Sequence, residues 1–327
     1  MILVVKNSKR DLEIVIDELN KITSNYSYFN NGLNYIFEVN QDINLYENIK
    51  ESPSVVYVLN DNVPFLSTRQ YNKENKTIEV SKHIVGKDFT VIAGPCSIED
   101  NGSVSNTFSQ IDLGCVSMFR GGAYKPRTSP YSFQGLREKG LEILKNQGIL
   151  YNKPIVSEIV DSDDIDYFIK YVDIIQVGAR NMQNFALLKK LSTSNKPILL
   201  KRGFSNTIEE LLFAAEYLIS GGNDNVILCE RGIRNHSSPN QIVLDLNSVV
   251  KLKQVSRLPV FVDPSHGSKD RTLVEKLSLA AVAAGADGLL IEVSVDPDLA
   301  ISDGFQTITP KELNNIVEKI KLIRKVL

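Results

Sequence analysis

The chain reads as an α/β protein: a (β/α)₈ TIM barrel preceded by a small α+β ferredoxin-like domain. Three observations carry this reading. From residue 90 onward, short runs rich in Val, Ile and Leu alternate with helical stretches, and eight such units fill about 240 residues, the size of one barrel. These runs show little polar alternation, as parallel strands covered by helices do. Before residue 70 the order is instead strand, helix, strand, strand, helix, strand, the βαββαβ pattern of a split βαβ unit.

MILVVK opens the chain as a short strand. DLEIVIDELNKI follows with Leu12, Ile14, Val15, Ile16 and Leu19 close to helical spacing. NYSYF and LNYIFEV flank the turn Asn30-Asn31-Gly32 like a hairpin. Residues 43–51 suit a helix, and SVVYVLN closes the unit as a strand. This places an ACT-like domain at 1–66. A polar linker follows at 67–88, with a short strand at its centre, and the barrel occupies 89–327. The barrel strands are TVIAGPCS, VSMFRGG, KPIVSEI, IIQVGAR, PILLKRG, NVILCERG, LPVFVDPSH and GLLIEVS. GLREKGLEILKNQG, NMQNFALLKKL, TIEELLFAAEYLISGG and TLVEKLSLAAVAAG lie between strands as helices, and KELNNIVEKIKLIRKVL ends the chain as another. No glycine-rich dinucleotide or P-loop fingerprint stands after a strand.

Composition narrows the function classes. The chain is 43% hydrophobic and 23% charged, with a formal charge of -2, which disfavours generic nucleic-acid binding. No apolar run reaches the roughly 18 residues of a membrane span, and the start lacks a signal-peptide layout. Three cysteines make a disulfide framework an unsuitable reading. A cytoplasmic protein with no membrane or nucleic-acid partner is the expectation.

Barrels of this kind carry their chemistry at the C-terminal strand ends. Those ends read Cys96, Arg120, Glu158, Arg180, Lys201, Arg231, His266 and Glu292. Apolar strands that repeatedly end in a charge imply a ligand, because a buried ion is costly without a partner. Cys96, His266, Glu292 and Asp303, the last in the loop ISDG, sort as metal ligands. A thiolate, an imidazole and two carboxylates suit Mn²⁺, Fe²⁺, Co²⁺ or Zn²⁺ better than Mg²⁺ or Ca²⁺. Arg120, Lys125, Arg127, Arg180, Lys201 and Arg231 form a second, cationic group, with Thr128 and Ser129 beside Arg127. Guanidinium forks and lysine ammonium groups bind phosphate and carboxylate, and two phosphoryl groups with one carboxylate would match this charge. Arg202 and Arg234 read as structural or peripheral, His83 and His236 as linker or loop residues, and Cys115 and Cys229 as core thiols.

AGPCSIE (93–99), FRGGAYKPRTSPYSFQG (119–135), IIQVGARNMQNF (174–185), KPILLKRGF (196–204), ILCERGIR (227–234) and VDPSHG (262–267) closely resemble the 3-deoxy-D-arabino-heptulosonate 7-phosphate (DAHP) synthases, type I, β branch. The resemblance spans the barrel, and the N-terminal domain is similar to that of regulated members. It implies a transferase of the shikimate pathway that condenses phosphoenolpyruvate with erythrose 4-phosphate. It also implies that Cys96, His266, Glu292 and Asp303 hold the divalent metal. Arg120, Lys125, Arg180, Lys201 and Arg231 would bind phosphoenolpyruvate, and Arg127, Thr128 and Ser129 the sugar phosphate. Catalysis would fall to Lys125, Cys96 and His266, with Lys125 passing a proton to the new alkoxide and the metal or a carboxylate such as Glu230 activating water. Tyrosine or phenylalanine would inhibit through the N-terminal domain of a homo-oligomer, a tetramer by resemblance. Departures fall in IEVSVDPDLAISDG, where Ser294 replaces a common histidine, in DPSHGSKDR, and in the polar first barrel helix NGSVSNTFSQIDLG. Two rivals are 3-deoxy-D-manno-octulosonate 8-phosphate synthase, which reads KANRS-like where this chain has KPRTS, and a non-catalytic metabolite-sensing barrel, which should have lost a ligand.

Overall fold

A computed structural model describes residues 1–327 except 31–33, 40–48, 50, 60–62, 128 and 238–239. The N-terminal strands β1 (Ile2–Lys6), β2 (Tyr26–Asn30), β3 (Asn34–Val39) and β4 (Val55–Leu59) form one antiparallel sheet in the order β2-β3-β1-β4. Alternate residues face opposite sides of a strand. Leu3 and Val5 thus pack with Phe37 and with Val15 and Leu19 of helix Lys9–Asn20, while Val4 and Ile36 join the core cluster that runs on into the barrel. The helix begins where the Ser8 side chain accepts the Asp11 backbone N–H at 3.1 Å. The expected Asn31-Gly32 turn, and the helix over 43–51 apart from Ile49 and Glu51, lie outside the described residues.

The stretch expected as a polar linker carries two strands rather than one. β5 (Ile78–Val80) and β6 (His83–Val85) pair antiparallel. Ile78, Val80 and Val85 are buried with Ile92, Met118, Val156, Ile174, Leu199, Ile227, Phe261 and Leu290, inward residues drawn from every barrel strand. The hairpin leads directly into the first barrel strand and so closes the floor of the barrel.

The barrel strands are β7 (Thr90–Gly94), β8 (Met118–Arg120), β9 (Ile155–Ile159), β10 (Ile174–Val177), β11 (Ile198–Lys201), β12 (Val226–Glu230), β15 (Val260–Val262) and β16 (Gly288–Glu292). They pair in sequence order, all parallel, and β16 closes onto β7 through Gly288↔Thr90 to Glu292↔Gly94. A short hairpin of β13 (Ile233–Arg234) and β14 (Ile242–Val243) rises between β12 and β15. The outer helices follow the sequence reading, with two more at Ile165–Tyr171 and Leu246–Val255. The polar first barrel helix, Asn101–Gln110, holds on through Val104 and Phe108, whose ring stacks on Phe119 at 3.9 Å. Among the described residues, no helix is long and apolar enough to cross a membrane.

Candidate active site

Closure of the barrel turns eight separate strand ends into one mouth. Cys96 lies two residues past β7 and Lys125 five past β8, and Gly122 brings these loops together. Its N–H donates to the Cys96 carbonyl at 3.1 Å. A Cβ there would stand 2.7 Å from that carbonyl and 3.1 Å from Lys125 Nζ, so only glycine allows the approach. Lys125 Nζ then reaches both the Cys96 carbonyl and Sγ at 3.0 Å.

Cys96 Sγ also lies 3.0 Å from Asp303 Oδ2, and Cys96, Glu292 and Asp303 hold potential ligand atoms within 4.8 Å of one another. These three form a candidate metal site. His266 is adjacent but outside that set, with Nε2 3.4 Å from Glu292 Oε1. Asp303 has a left-handed backbone (φ 58°), unusual for a residue with a side chain, and Thr307 Oγ1 donates to its carbonyl at 3.0 Å. The donor set fits a divalent cation: a soft thiol, an imidazole and hard carboxylates, with outer partners that orient them. Glu292 Oε2 accepts from Gln306 Nε2 at 2.8 Å, and Oε1 from Arg120 at 2.7 Å. His266 Nδ1 is 2.7 Å from Asp263 Oδ2.

Electrostatics agree with that fit. Burial first, then the Glu292 carboxylate, pushes the Cys96 thiol up to about 12, against the pull of Lys125. A coordinated divalent cation reverses this, because it deprotonates a ligating thiol outright. Burial also opposes ionisation of Glu292, yet His266, Arg120 and Lys125 outweigh it and hold the carboxyl at about 2. Asp263 lies well below the carboxylate range, since His266 and Lys201 overcome its burial.

The cations divide by partner. Arg120 is tied to Glu292, and Lys201 donates to Asp263 Oδ2 at 2.5 Å. Arg231 is 4% exposed and makes no ion pair with a described carboxylate; burial lowers its pKa. Its guanidinium sits over the Phe204 ring at 4.6 Å, and exposed Arg180 approaches the same ring at 5.6 Å. Half-buried Arg127 donates to the Phe133 carbonyl at 3.1 Å, and exposed Ser129 lies in the same loop. The structure does not bring this pair into the thiol–carboxylate cluster, and Thr128 lies outside the described residues.

Other residues fall into supporting places. Glu230 is fully buried, with Oε2 on Arg202 at 2.9 Å and Oε1 on the Gly232 N–H at 2.6 Å, so Arg202 is structural as read. Glu158 accepts from Gln176 Nε2 at 2.9 Å. Cys115 and Cys229 are buried free thiols. His83 lies in β6, and Arg234, at 5.8 Å from Phe204, stands nearer the cationic group than a peripheral residue should. Sequence reasoning missed Asp263, Gln306 and Phe204. Asp263 had a signal, an Asp three residues before His266 at the start of helix Pro264–Ser268, where its Oδ1 caps the His266 N–H at 2.9 Å.

A buried guanidinium with no ion pair to a described carboxylate, and at the same end of the barrel a buried thiol with two acids, mark the mouth of a (β/α)₈-barrel enzyme suited to small anions. The chain belongs to the DAHP synthetase I family, whose model matches residues 70–326. It is similar to the phospho-2-dehydro-3-deoxyheptonate aldolase of Thermotoga maritima, at 45% identity over 86% of this chain and 83% of the relative. The crystal structure of that species' DAHP synthase superposes with a TM-score of 0.79 at 38% identity, covering 99% of this chain and 97% of that one. A truncated form of the same species' synthase gives 0.74 at 42% identity, covering 80% of this chain and 96% of that one. A 2-dehydro-3-deoxyphosphooctonate aldolase of Geotalea uraniireducens is more distant, at 31% identity over 76% of this chain and 97% of the relative. The activity is therefore that of the DAHP synthases, a transferase step of the shikimate pathway, and the octulosonate rival is set aside.

Proposed function

We propose that the barrel mouth condenses phosphoenolpyruvate with erythrose 4-phosphate on the residues read from its strand ends. The observation that carries this is Arg231, a buried guanidinium without a described carboxylate partner, close to Arg180 on a shared aromatic plate. Arg120, Lys125, Arg180, Lys201 and Arg231 hold the phosphate and carboxylate of phosphoenolpyruvate, and Arg127, Thr128 and Ser129 hold the phosphate of the sugar. Cys96, His266, Glu292 and Asp303 hold a divalent ion of the Mn²⁺, Fe²⁺, Co²⁺ or Zn²⁺ type. When bound, that ion supplies Lewis-acid polarisation of the aldehyde oxygen.

In the reaction, C3 of phosphoenolpyruvate forms a bond to the aldehyde carbon and the aldehyde oxygen takes a proton. Water then adds at C2, and phosphate leaves as the C–O bond breaks. The chain's contribution is chiefly positioning and charge compensation for two anions that repel each other. Lys125 Nζ, 3.0 Å from Cys96 Sγ, stands where a proton can pass to the new alkoxide. The N-terminal domain is regulatory in this reading, with tyrosine or phenylalanine as inhibitor and a homo-oligomer, a tetramer, as the working form.

The test is phosphate release from phosphoenolpyruvate with erythrose 4-phosphate or arabinose 5-phosphate, before and after chelation. Turnover should need the four-carbon sugar, vanish on chelation and return with Mn²⁺. Arg180→Ala should raise KM for phosphoenolpyruvate and Arg127→Ala that for the sugar, each by about 2 to 5 kcal/mol in binding. The opposite pattern of KM values, or turnover indifferent to chelation, overturns the assignment.

A further inference from the structure

A cavity of about 280 Å³ opens beside the thiol–carboxylate cluster, with Cys96 in its wall. Its wall includes Cys96, Glu99, Asn106, Asp296, Leu299 and Ser302, and no lysine or arginine lines it among the described residues. It lies between the polar helix Asn101–Gln110 and the loop after β16 that carries Asp303, two of the three stretches where the sequence departs from its resemblance. We propose that this cavity is the entry and exit route of the divalent cation, separate from the mouth used by substrates, and that residues 296–303 are its gate. The proposal rests on the metal reading given above.

Two arguments support it. Charge sorts the routes: Arg127, Arg180 and Arg231 at the mouth repel a divalent cation, whereas Glu99, Asp296 and the hydroxyls of the cavity attract one. The gate also has a visible latch. Ser302 Oγ lies 2.6 Å from Ser97 Oγ, and Glu99 Oε1 accepts from Ser97 Oγ at 3.1 Å and from the Ile301 N–H at 2.8 Å. Arg271 adds an ion pair to Asp298 at 2.6 Å and a hydrogen bond to the Gly304 carbonyl at 2.8 Å, while Leu299 and Ile301 stay 78% and 61% exposed. Releasing the latch would swing out the segment that carries Asp303 without disturbing the barrel strands.

The experiment loads the full-length protein with Co²⁺, adds excess chelator and follows loss of the thiolate–cobalt absorption. Ser302→Ala, which loses one hydrogen bond, should quicken release about fivefold, and Glu99→Ala, which loses two, by at least as much, with equal metal content at saturation. Asn106→Trp, which fills the cavity from the exposed face of its helix, should slow release. Saturating phosphoenolpyruvate should leave the wild-type rate unchanged. The route is overturned if release is indifferent to all three substitutions, or if phosphoenolpyruvate arrests it. Failure of the wild type to take up one Co²⁺ per chain would instead overturn the metal reading, so the two failures are distinct.

Discussion

Asp263 joins three tasks in one carboxylate. Oδ1 caps the helix that carries His266, while Oδ2 accepts from the His266 ring and from Lys201. It thereby couples the orientation of His266, a proposed metal ligand, to a cation of the proposed phosphoenolpyruvate site. Asp263→Asn should weaken metal binding about 10- to 100-fold, the usual cost of losing an outer partner of a ligating histidine, as read by titration with Co²⁺ or Mn²⁺. Unchanged affinity would make Asp263 a helix cap only. Glu292 allows a pH prediction. Folding holds its carboxyl at about 2, below the ordinary 4.5. A carboxyl lowered by folding stabilises the fold above its ordinary value and loses that contribution as pH falls to the folded one. Metal-free protein should therefore lose stability between pH 4.5 and about 2, and Glu292→Gln should flatten that limb in unfolding midpoints. An unaltered acid limb in the variant would place the titrating group elsewhere.

At the scale of elements, the floor hairpin shows what local pattern can and cannot reveal. Ile78 and Val80 alternate with exposed Glu79, which marks a strand. The partner strand was not legible, because the turn passes through Ser81 in a left-handed conformation (φ 55°) without the Asn-Gly or Asp-Gly sign. The pairing becomes worthwhile only when the barrel offers an apolar floor to cover. Ile78→Ala should lower unfolding stability by about 2 to 5 kcal/mol while kcat stays unchanged, since the hairpin lies at the end opposite the chemistry. A fall in kcat without a fall in stability would contradict the plug. The barrel strands were legible throughout, since they are short apolar runs broken only by Ser157 and Glu158 in β9 and Gln176 in β10. The Ile165–Tyr171 helix was not singled out, being a short run of seven residues that buries only Phe168.

For the whole molecule, one carboxylate gathers much of the polar contact where the N-terminal part meets the barrel, beside the apolar contact made by Val4 and Ile36. The half-buried Glu216 carboxylate accepts backbone N–H groups from Phe65, Leu66 and Ser67 at 3.0, 3.0 and 2.8 Å, together with the Ser67 hydroxyl at 2.6 Å. Residues 65–67 are thus held to the barrel helix Ile208–Ser220, and any movement of the preceding strands is expected to hinge before Phe65. A chain shortened to begin at Val63 keeps both the Glu216 contacts and the plug. It should fold, retain turnover and lose any inhibition by tyrosine or phenylalanine. Persistent inhibition would move the regulatory site into the barrel, and insensitivity of the full-length chain to both amino acids would deny the domain this role.

Several determinations were complete in the order of residues alone. Apolar runs of strand length, separated by helical stretches, admit few folds, and a motif such as KPRTSP or GPCS carries its residue types wherever the chain goes. The four strands read before residue 60 likewise agree with the antiparallel sheet β2-β3-β1-β4, while the second helix of that reading lies outside the described residues but for Ile49 and Glu51. Distances between side chains far apart in sequence were decided only by closure of the barrel. Cys96 and Asp303 are 207 positions apart and touch because β16 pairs with β7. The same closure gives Glu292 to Arg120 and Asp263 to Lys201, and leaves Arg231 without a described carboxylate. Sequence names the charges, but pairing depends on the geometry of a low-dielectric interior, where a shift of a few ångströms separates a neutralised ion from one that must wait for its substrate.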